Sequence, residues 1–332
     1  MTTNRSTLLD KISNISKENF SALALEVFRY QAIHNPIYKR FVELLHIQPQ
    51  NVQELKDIPF LPIQFFKTHA IQTGELQPEV IFTSSGTTGQ TPSRHFVPDL
   101  SWYEKVSQIG FEQFYGNVED YCFMALLPAY LERTGSSLIQ MVDVFIKKSK
   151  YTESGFFLYD HATLIERLQT LQQRQIPTIL IGVSFALLDL AEQFPTDLSQ
   201  IIIMETGGMK GRRKEITRSE LHSTLKKAFQ TSFIHSEYGM TELLSQAYSK
   251  GNGVFYPTKT MDLFIKEITD PFALVKNGKA GLINIIDLAN IDSCSFIATE
   301  DIGRKQDNGS FEILGRLDAS DIRGCNLLII DS

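Results

Sequence analysis

The segment Thr83-Ser84-Ser85-Gly86-Thr87-Thr88-Gly89-Gln90-Thr91 follows a short apolar run and gathers hydroxyls and glycines in one stretch. These residue types suit a phosphate chain. Glycine lets backbone N–H groups approach the oxygens, and the serine and threonine hydroxyls add donors that follow charge as it moves onto pyrophosphate. Each well-placed donor is worth about 3 kcal/mol, or roughly a hundredfold in rate. No Gly-Lys-Ser/Thr follows, so this is not the loop of a P-loop NTPase. A second cluster, His235-Ser236-Glu237-Tyr238-Gly239-Met240-Thr241-Glu242, is expected where a strand ending near His235 gives way to a helix. Loops at strand C-termini are where open α/β sheets bind ligands. There Tyr238 can stack on a base, Thr241 can hold an α-phosphate, and Glu242 is a hard oxygen ligand suited to Mg²⁺. Taken singly, a tyrosine is better explained by packing and a glutamate by a solvated helix start.

Positioning these groups requires a large folded frame. The 332 residues exceed what one hydrophobic core usually serves, and 42% apolar with 21% charged residues is ordinary globular usage. From Leu8 to about Ile47 apolar residues recur at helical spacing, which predicts a helical N-terminal region over 1–74. Pro59, Pro62 and the Phe65-Phe66 pair then make a connector into a main domain over 75–316. In that domain Val80 to Thr83, Thr178 to Gly182, Ile201 to Met204 and Ser232 to His235 read as strands. Helices alternate with them, including Ser101 to Phe114, where Ser101 and Glu104 have capping-box spacing, and Leu164 to Gln175. The alternation predicts an α/β fold. After Phe255, runs at Leu282 to Leu288 and Ser295 to Thr299 and the Asn308-Gly309 turn predict a β-rich subregion.

Two further segments complete a set of motifs: Thr299-Glu300-Asp301-Ile302-Gly303, then Gly315-Arg316-Leu317-Asp318-Ala319-Ser320-Asp321-Ile322-Arg323-Gly324. With the hydroxyl-rich loop and the Tyr-Gly-Met-Thr-Glu cluster, they resemble the adenylate-forming (AMP-binding) superfamily, near its phenylacetate-CoA ligase branch. The resemblance implies ATP and Mg²⁺ as cofactors, with Ser84, Ser85, Gly86, Thr87, Thr88 and Gly89 around the triphosphate. It also implies Thr206, Gly207, Gly208, Tyr238 and Gly239 around the adenine, Asp301 on the ribose hydroxyls, Arg316 on ribose or phosphate, and Thr241 and Glu242 in catalysis with Glu242 on the metal. The segments Ile58 to Lys67, Thr206 to Gly211 and Arg323-Gly324-Cys325 look most like the LuxE-like acyl-protein synthetases of bacterial bioluminescence, over almost the whole chain. That resemblance implies activation of a fatty or other carboxylic acid, transfer of the acyl group to Cys325, and an acyl reductase as acceptor partner. Superfamily members continue into a small lysine-bearing C-terminal domain; with the last residue at Ser332, that domain is expected to be absent and 317–332 to be a truncated hinge segment.

The remaining features bound this reading. A thiolate attacks an acyl-adenylate readily, and Arg323 beside Cys325 would raise the thiolate fraction, although cysteine is also a common small buried hydrophobe. Cys122 and Cys294 lie in strand-like apolar runs and are expected to be structural, and the three cysteines have no CxxC spacing for a disulfide framework or zinc site. A net charge of -6 opposes a general nucleic-acid binder, while the lack of a signal peptide or long apolar run points to a cytoplasmic protein without a membrane span. The basic run Lys210, Arg212, Arg213 and Lys214 reads as a solvated face, and His95 and His161 as satisfied structural groups. Gly182-Val183-Ser184-Phe185-Ala186 approximates a hydrolase elbow but has alanine for the second glycine. The alternatives are an acyl-CoA ligase of the phenylacetate-CoA ligase type and a non-catalytic nucleotide-binding subunit.

Overall fold

The N-terminal helical pattern is cut into separate helices by polar capping residues. A computed structural model describes residues 4–84, 91–128, 135–209, 213–214 and 216–317. In it Asn4 caps α1 (Arg5–Ser13), α2 follows over Phe20–His34, and Asn35 accepts from the N–H groups of Ile37 and Tyr38 to start α3 (Pro36–Leu44). Pro36 occupies the first turn, where its missing N–H costs no hydrogen bond. The short β1 (Leu61–Pro62) and α4 (Phe65–Thr68) lie in the expected connector. Strands β2 (Val80–Thr83) and β3 (Arg94–Val97) flank the hydroxyl-rich loop and pair antiparallel in a small sheet of their own. Next, α5 (Leu100–Tyr115) is capped by Asp99, which accepts from the Trp102 N–H, so Ser101 is not the cap expected from sequence; its hydroxyl donates to Asp99 instead.

The alternating region then runs β4 (Cys122–Leu126), α6 (Ser137–Lys148), β5 (Gly155–Phe157), α7 (His161–Gln173), β6 (Thr178–Val183), α8 (Ser184–Gln193), β7 (Ile202–Thr206), α9 (Arg218–Phe229) and β8 (His235–Tyr238). These strands are parallel in the order β5-β4-β6-β7-β8. Every residue of β4 and β6 is buried, as expected of strands covered on both faces. The chain returns antiparallel as β9 (Ala247–Ser249), β10 (Val254–Pro257), β11 (Met261–Lys266), β12 (Gly281–Asp287), β13 (Phe296–Lys305) and β14 (Phe311–Arg316), extending the sheet in the order β8-β9-β10-β14-β13-β12-β11. The β-rich subregion is thus the antiparallel wing of one mixed sheet.

Strand β13 carries Asp301 and is anchored to the N-terminal helices. The Phe296 ring lies 6.0 Å from Phe28, 6.1 Å from Tyr38 and 6.2 Å from Phe60, and β1 pairs parallel with β13 through Leu61 and Ile297. Tyr38 is fully buried, and its hydroxyl is satisfied by the Pro59 carbonyl at 2.6 Å. Such aromatic pairs add about 0.5–1.5 kcal/mol each beyond burial, which holds the wing at a fixed position against the helices.

Candidate active site

The strand order changes direction between β4 and β6, and a crevice of about 400 Å³ opens at their C-terminal ends. Pro128, Tyr159, His161, Phe185, Ala186, Asp189 and Arg213 line it. Arg213 is committed to α8, donating to Asp189 at 2.8 Å and to Glu192 at 2.7 Å, which leaves the basic run one cation fewer for a ligand. Lys210 and Arg212 lie outside the described residues. Ser184 begins α8 fully enclosed, 3.4 Å from Glu205 and from the Gly207 carbonyl, so its hydroxyl has no open approach as a nucleophile.

The second cluster differs from its sequence expectation. His235–Tyr238 is the strand itself, and no helix follows: Gly239 to Gln246 turn the chain back into antiparallel β9. Alternation along β7 and β8 therefore sends neighbouring side chains to opposite faces of the sheet. On one face Glu205 accepts from Arg218 of α9 at 3.0 Å and lies 3.5 Å from His222. Burial raises its pKa, but His222 and Arg218 outweigh that, and the carboxyl is held below its ordinary range. On the other face Glu237 accepts from the Thr206 hydroxyl at 2.5 Å, and burial, reinforced by the charge of Glu205, pushes Glu237 up to about 7. Two glycines make this strand end possible. Gly207 turns the chain at φ +70°, and a Cβ at Gly239 would come within 2.6 Å of Glu237 Oε1.

Tyr238, Glu242, Asp301 and Arg316 converge from three segments. The Tyr238 hydroxyl donates to Asp301 Oδ2 at 2.7 Å, and its ring packs against Phe255 and Phe311. Asp301 stands opposite Arg316 in the β13–β14 ladder, beside a register shift at Ile302 and Gly303 of the kind that re-aims side chains next to sites. Arg316 also donates to Glu300 at 2.8 Å. Burial raises Asp301 and Glu242 above the ordinary carboxylate range, against the hydrogen bonds of Tyr238 and Ser93 respectively and the charge of Arg316. Burial opposes the charge on Arg316, but Asp301, Glu300 and Glu242 together hold its pKa high.

The hydroxyl-rich loop is described at its two ends. Ser84 and Ser93 are tied by Ser84 N–H to Ser93 O at 3.1 Å and Ser93 N–H to Ser84 Oγ at 2.8 Å. Ser85, Gly86, Thr87, Thr88 and Gly89 lie outside the described residues, as does Cys325. Cys122 and Cys294 are both free and buried, and burial pushes the Cys294 thiol up to about 12, as suits structural cysteines. Among the described residues no group of three or more His, Cys, Asp or Glu forms a metal centre. Glu242 nonetheless has the character Mg²⁺ requires: a hard carboxylate, 5% exposed, which a cation held jointly by phosphate oxygens would neutralise.

Sequence reasoning gave no role to Glu205, Arg218, Glu237 or Asn290, and read His95 as structural. His95 is indeed buried and satisfied, its Nδ1–H donating to the Thr241 carbonyl at 2.8 Å. The sequence carried no signal for Glu205, Glu237 or Arg218, since Glu205 and Glu237 are received by partners on other elements and Arg218 lies at the start of a helix.

Among solved structures, the chain resembles 2-hydroxyisobutyryl-CoA ligase in complex with 2-HIB-AMP and CoA, with a TM-score of 0.66, 13% identity, and coverage of 96% of this chain and 73% of that one. The fold is the adenylate-forming enzyme fold. ATP-bound MatB from Rhodopseudomonas palustris matches with a TM-score of 0.54 and 15% identity over 71% of this chain and 47% of that one. The O-succinylbenzoate coenzyme A synthetase MenE from Bacillus subtilis, in complex with ATP and magnesium ion, matches with a TM-score of 0.51 and 17% identity over 74% and 53%. A long-chain-fatty-acid–luciferin-component ligase of Photorhabdus luminescens is 37% identical over 68 residues, which are 20% of this chain and 58% of that protein. The chain thus spans little more than half the length of this curated relative. No family model matches. No helix among the described residues is long and apolar enough to cross a membrane.

Proposed function

We propose that the chain uses ATP to activate a carboxylic acid as an acyl-adenylate and passes the acyl group to a protein cysteine, Cys325. The observation that carries this reading is the convergence of Tyr238, Glu242, Asp301 and Arg316 beside the closed ends of the hydroxyl-rich loop. Asp301 presents a carboxylate that, with one oxygen taken by Tyr238, has its other oxygen for the ribose hydroxyls. Thr206, Gly207 and Gly208 end β7 beside β8, where a planar base would lie against backbone and the Tyr238 ring. Ser84, Ser85, Thr87 and Thr88, with the backbone of Gly86 and Gly89, receive the triphosphate, and Thr241 holds the α-phosphate. Arg316 keeps its charge next to Asp301 and Glu242 and so opposes the negative charge that builds at the reacting phosphorus. Bound at Glu242, Mg²⁺ would supply neutralisation of the phosphate oxygens.

A fatty acid is the substrate this reading takes, supported by the likeness to the long-chain-fatty-acid–luciferin-component ligase of Photorhabdus luminescens. A thiolate at Cys325 would attack the acyl carbon, forming the thioester C–S bond while the acyl–phosphate C–O bond breaks and AMP leaves. An acyl reductase is the partner this reading supplies. CoA is a second acceptor, favoured by the CoA-bound structure that covers most of the chain. Pyrophosphate release measured with a panel of acids, ATP and Mg²⁺ tests the first step. Glu242→Gln is expected to slow it about a hundredfold with the fold intact, and an unaltered rate would remove Glu242 from the mechanism.

A further inference from the structure

The Thr241–Glu242 turn carries the two residues placed on the α-phosphate and the metal, and its backbone carbonyls point into the protein rather than to water. Buried carbonyls need donors, and a turn has no ladder to supply them. Thr241 O accepts from His95 Nδ1–H at 2.8 Å, and Glu242 O accepts from Asn290 Nδ2 at 2.8 Å. Asn290 Nδ2 also donates to the Cys294 carbonyl at 3.0 Å, which fixes the amide so that Oδ1 faces His95 Nε2 at 2.9 Å. His95 and Asn290 are each 1% exposed. Burial lowers the imidazole to about 4, while the Thr241 carbonyl and Asn290 Oδ1, acceptors on its two ring nitrogens, oppose that shift.

Both members of the pair are braced from outside the site. His95 lies on β3, one residue beyond Arg94 and two beyond Ser93, whose backbone closes the hydroxyl-rich loop and whose side chain also bonds the Glu242 carboxylate. The segment holding Asn290 is gripped by the N-terminal helices. Gln31 Nε2 donates to the carbonyls of Asn290 at 3.1 Å and Ile291 at 2.9 Å, and Asn35 Nδ2 donates to Ser293 O at 2.8 Å. Arg5 clasps Asp292 at 2.6 and 2.7 Å.

We infer that His95 and Asn290 are positioning residues that clamp the Thr241–Glu242 turn to β3 and to the segment before β13 and so set where Glu242 presents its carboxylate to the metal–nucleotide complex. The inference rests on the proposed role of Glu242. Removing either residue leaves a buried carbonyl without a donor, and the turn must shift to satisfy it. The consequence is specific: weakened metal dependence rather than general loss of fold.

The test is isothermal titration calorimetry of ATP into the full chain at stepped Mg²⁺ concentrations, which needs no knowledge of the acid. Asn290→Asp keeps the side-chain size but places an acceptor opposite the Glu242 and Cys294 carbonyls, and His95→Gln is the milder companion should Asn290→Asp fail to fold. Each is expected to raise the Mg²⁺ concentration for half-maximal binding by about tenfold or more, with Glu242→Gln shifting it at least as far. A merely structural role would lower the unfolding temperature and leave the Mg²⁺ midpoint at the wild-type value. That outcome, with Glu242→Gln still shifted, overturns the clamp and spares the metal role. An unshifted Glu242→Gln overturns the metal role of Glu242 and the clamp with it, and wild-type protein that does not bind ATP at any Mg²⁺ concentration overturns the nucleotide reading itself.

Discussion

Replacing Glu237 with glutamine should stabilise the protein progressively as pH rises. Glu237 is 7% exposed, and burial beside the Glu205 carboxylate pushes it from an ordinary 4.5 to about 7. Between those values the folded chain holds a proton that the unfolded chain has released, so the native state binds more protons and stability falls as pH increases. The slope is about 1.4 kcal/mol per pH unit, which over this window totals about 3 kcal/mol, complete once pH exceeds the folded value. Glu237→Gln has no charge to bury and still offers an oxygen to the Thr206 hydroxyl. The assay is urea unfolding of both proteins from about pH 5 to about pH 8, read as the difference between them so that other titrating groups cancel. Glu205, whose pKa is depressed, contributes stability that is lost only toward acid pH, below this window. A difference that stays flat across the range would refute the assignment of a buried, proton-holding carboxyl to Glu237.

Other outcomes follow from the same geometry. Arg218→Ala leaves the Glu205 carboxylate, 2% exposed, without its strong cation, and should cost about 3–5 kcal/mol in chemical denaturation; a loss under about 1 kcal/mol would mean that His222 alone suffices. Tyr238→Phe removes the donor to Asp301 while keeping the ring between Phe255 and Phe311. ATP affinity measured by calorimetry should fall about tenfold with the unfolding temperature changed little, and unchanged affinity would separate this pair from the nucleotide.

The α/β alternation was legible in the sequence because β4 and β6 are covered on both faces and read as unbroken apolar runs bounded by turn residues. The strand Val80–Thr83 was legible too, but not its pairing with Arg94–Val97 apart from the main sheet, since that depends on a contact closed across the hydroxyl-rich loop. The least legible element was β8. Its residues His235, Ser236 and Glu237 are polar, and they sit in a sheet interior only because partners distant in sequence, Tyr115, His222 and Thr206, receive them. Propensity reads such residues as a loop. Asn290 was invisible for a related reason: nothing in its neighbours announces an amide that ties together β3, the turn after β8 and the segment before β13. The motif residues Tyr238, Asp301 and Arg316 were found through resemblance, and the structure brings them together; the loop residues 85–89 and Cys325 fall outside the described residues.

The most direct measurement is intact-protein mass spectrometry after incubation with a labelled fatty acid, ATP and Mg²⁺. The account predicts a covalent acyl adduct that neutral hydroxylamine releases, that requires ATP, and that disappears in Cys325→Ala while pyrophosphate release persists. An adduct that survives Cys325→Ala, or silence in both assays across a panel of acids, would contradict it.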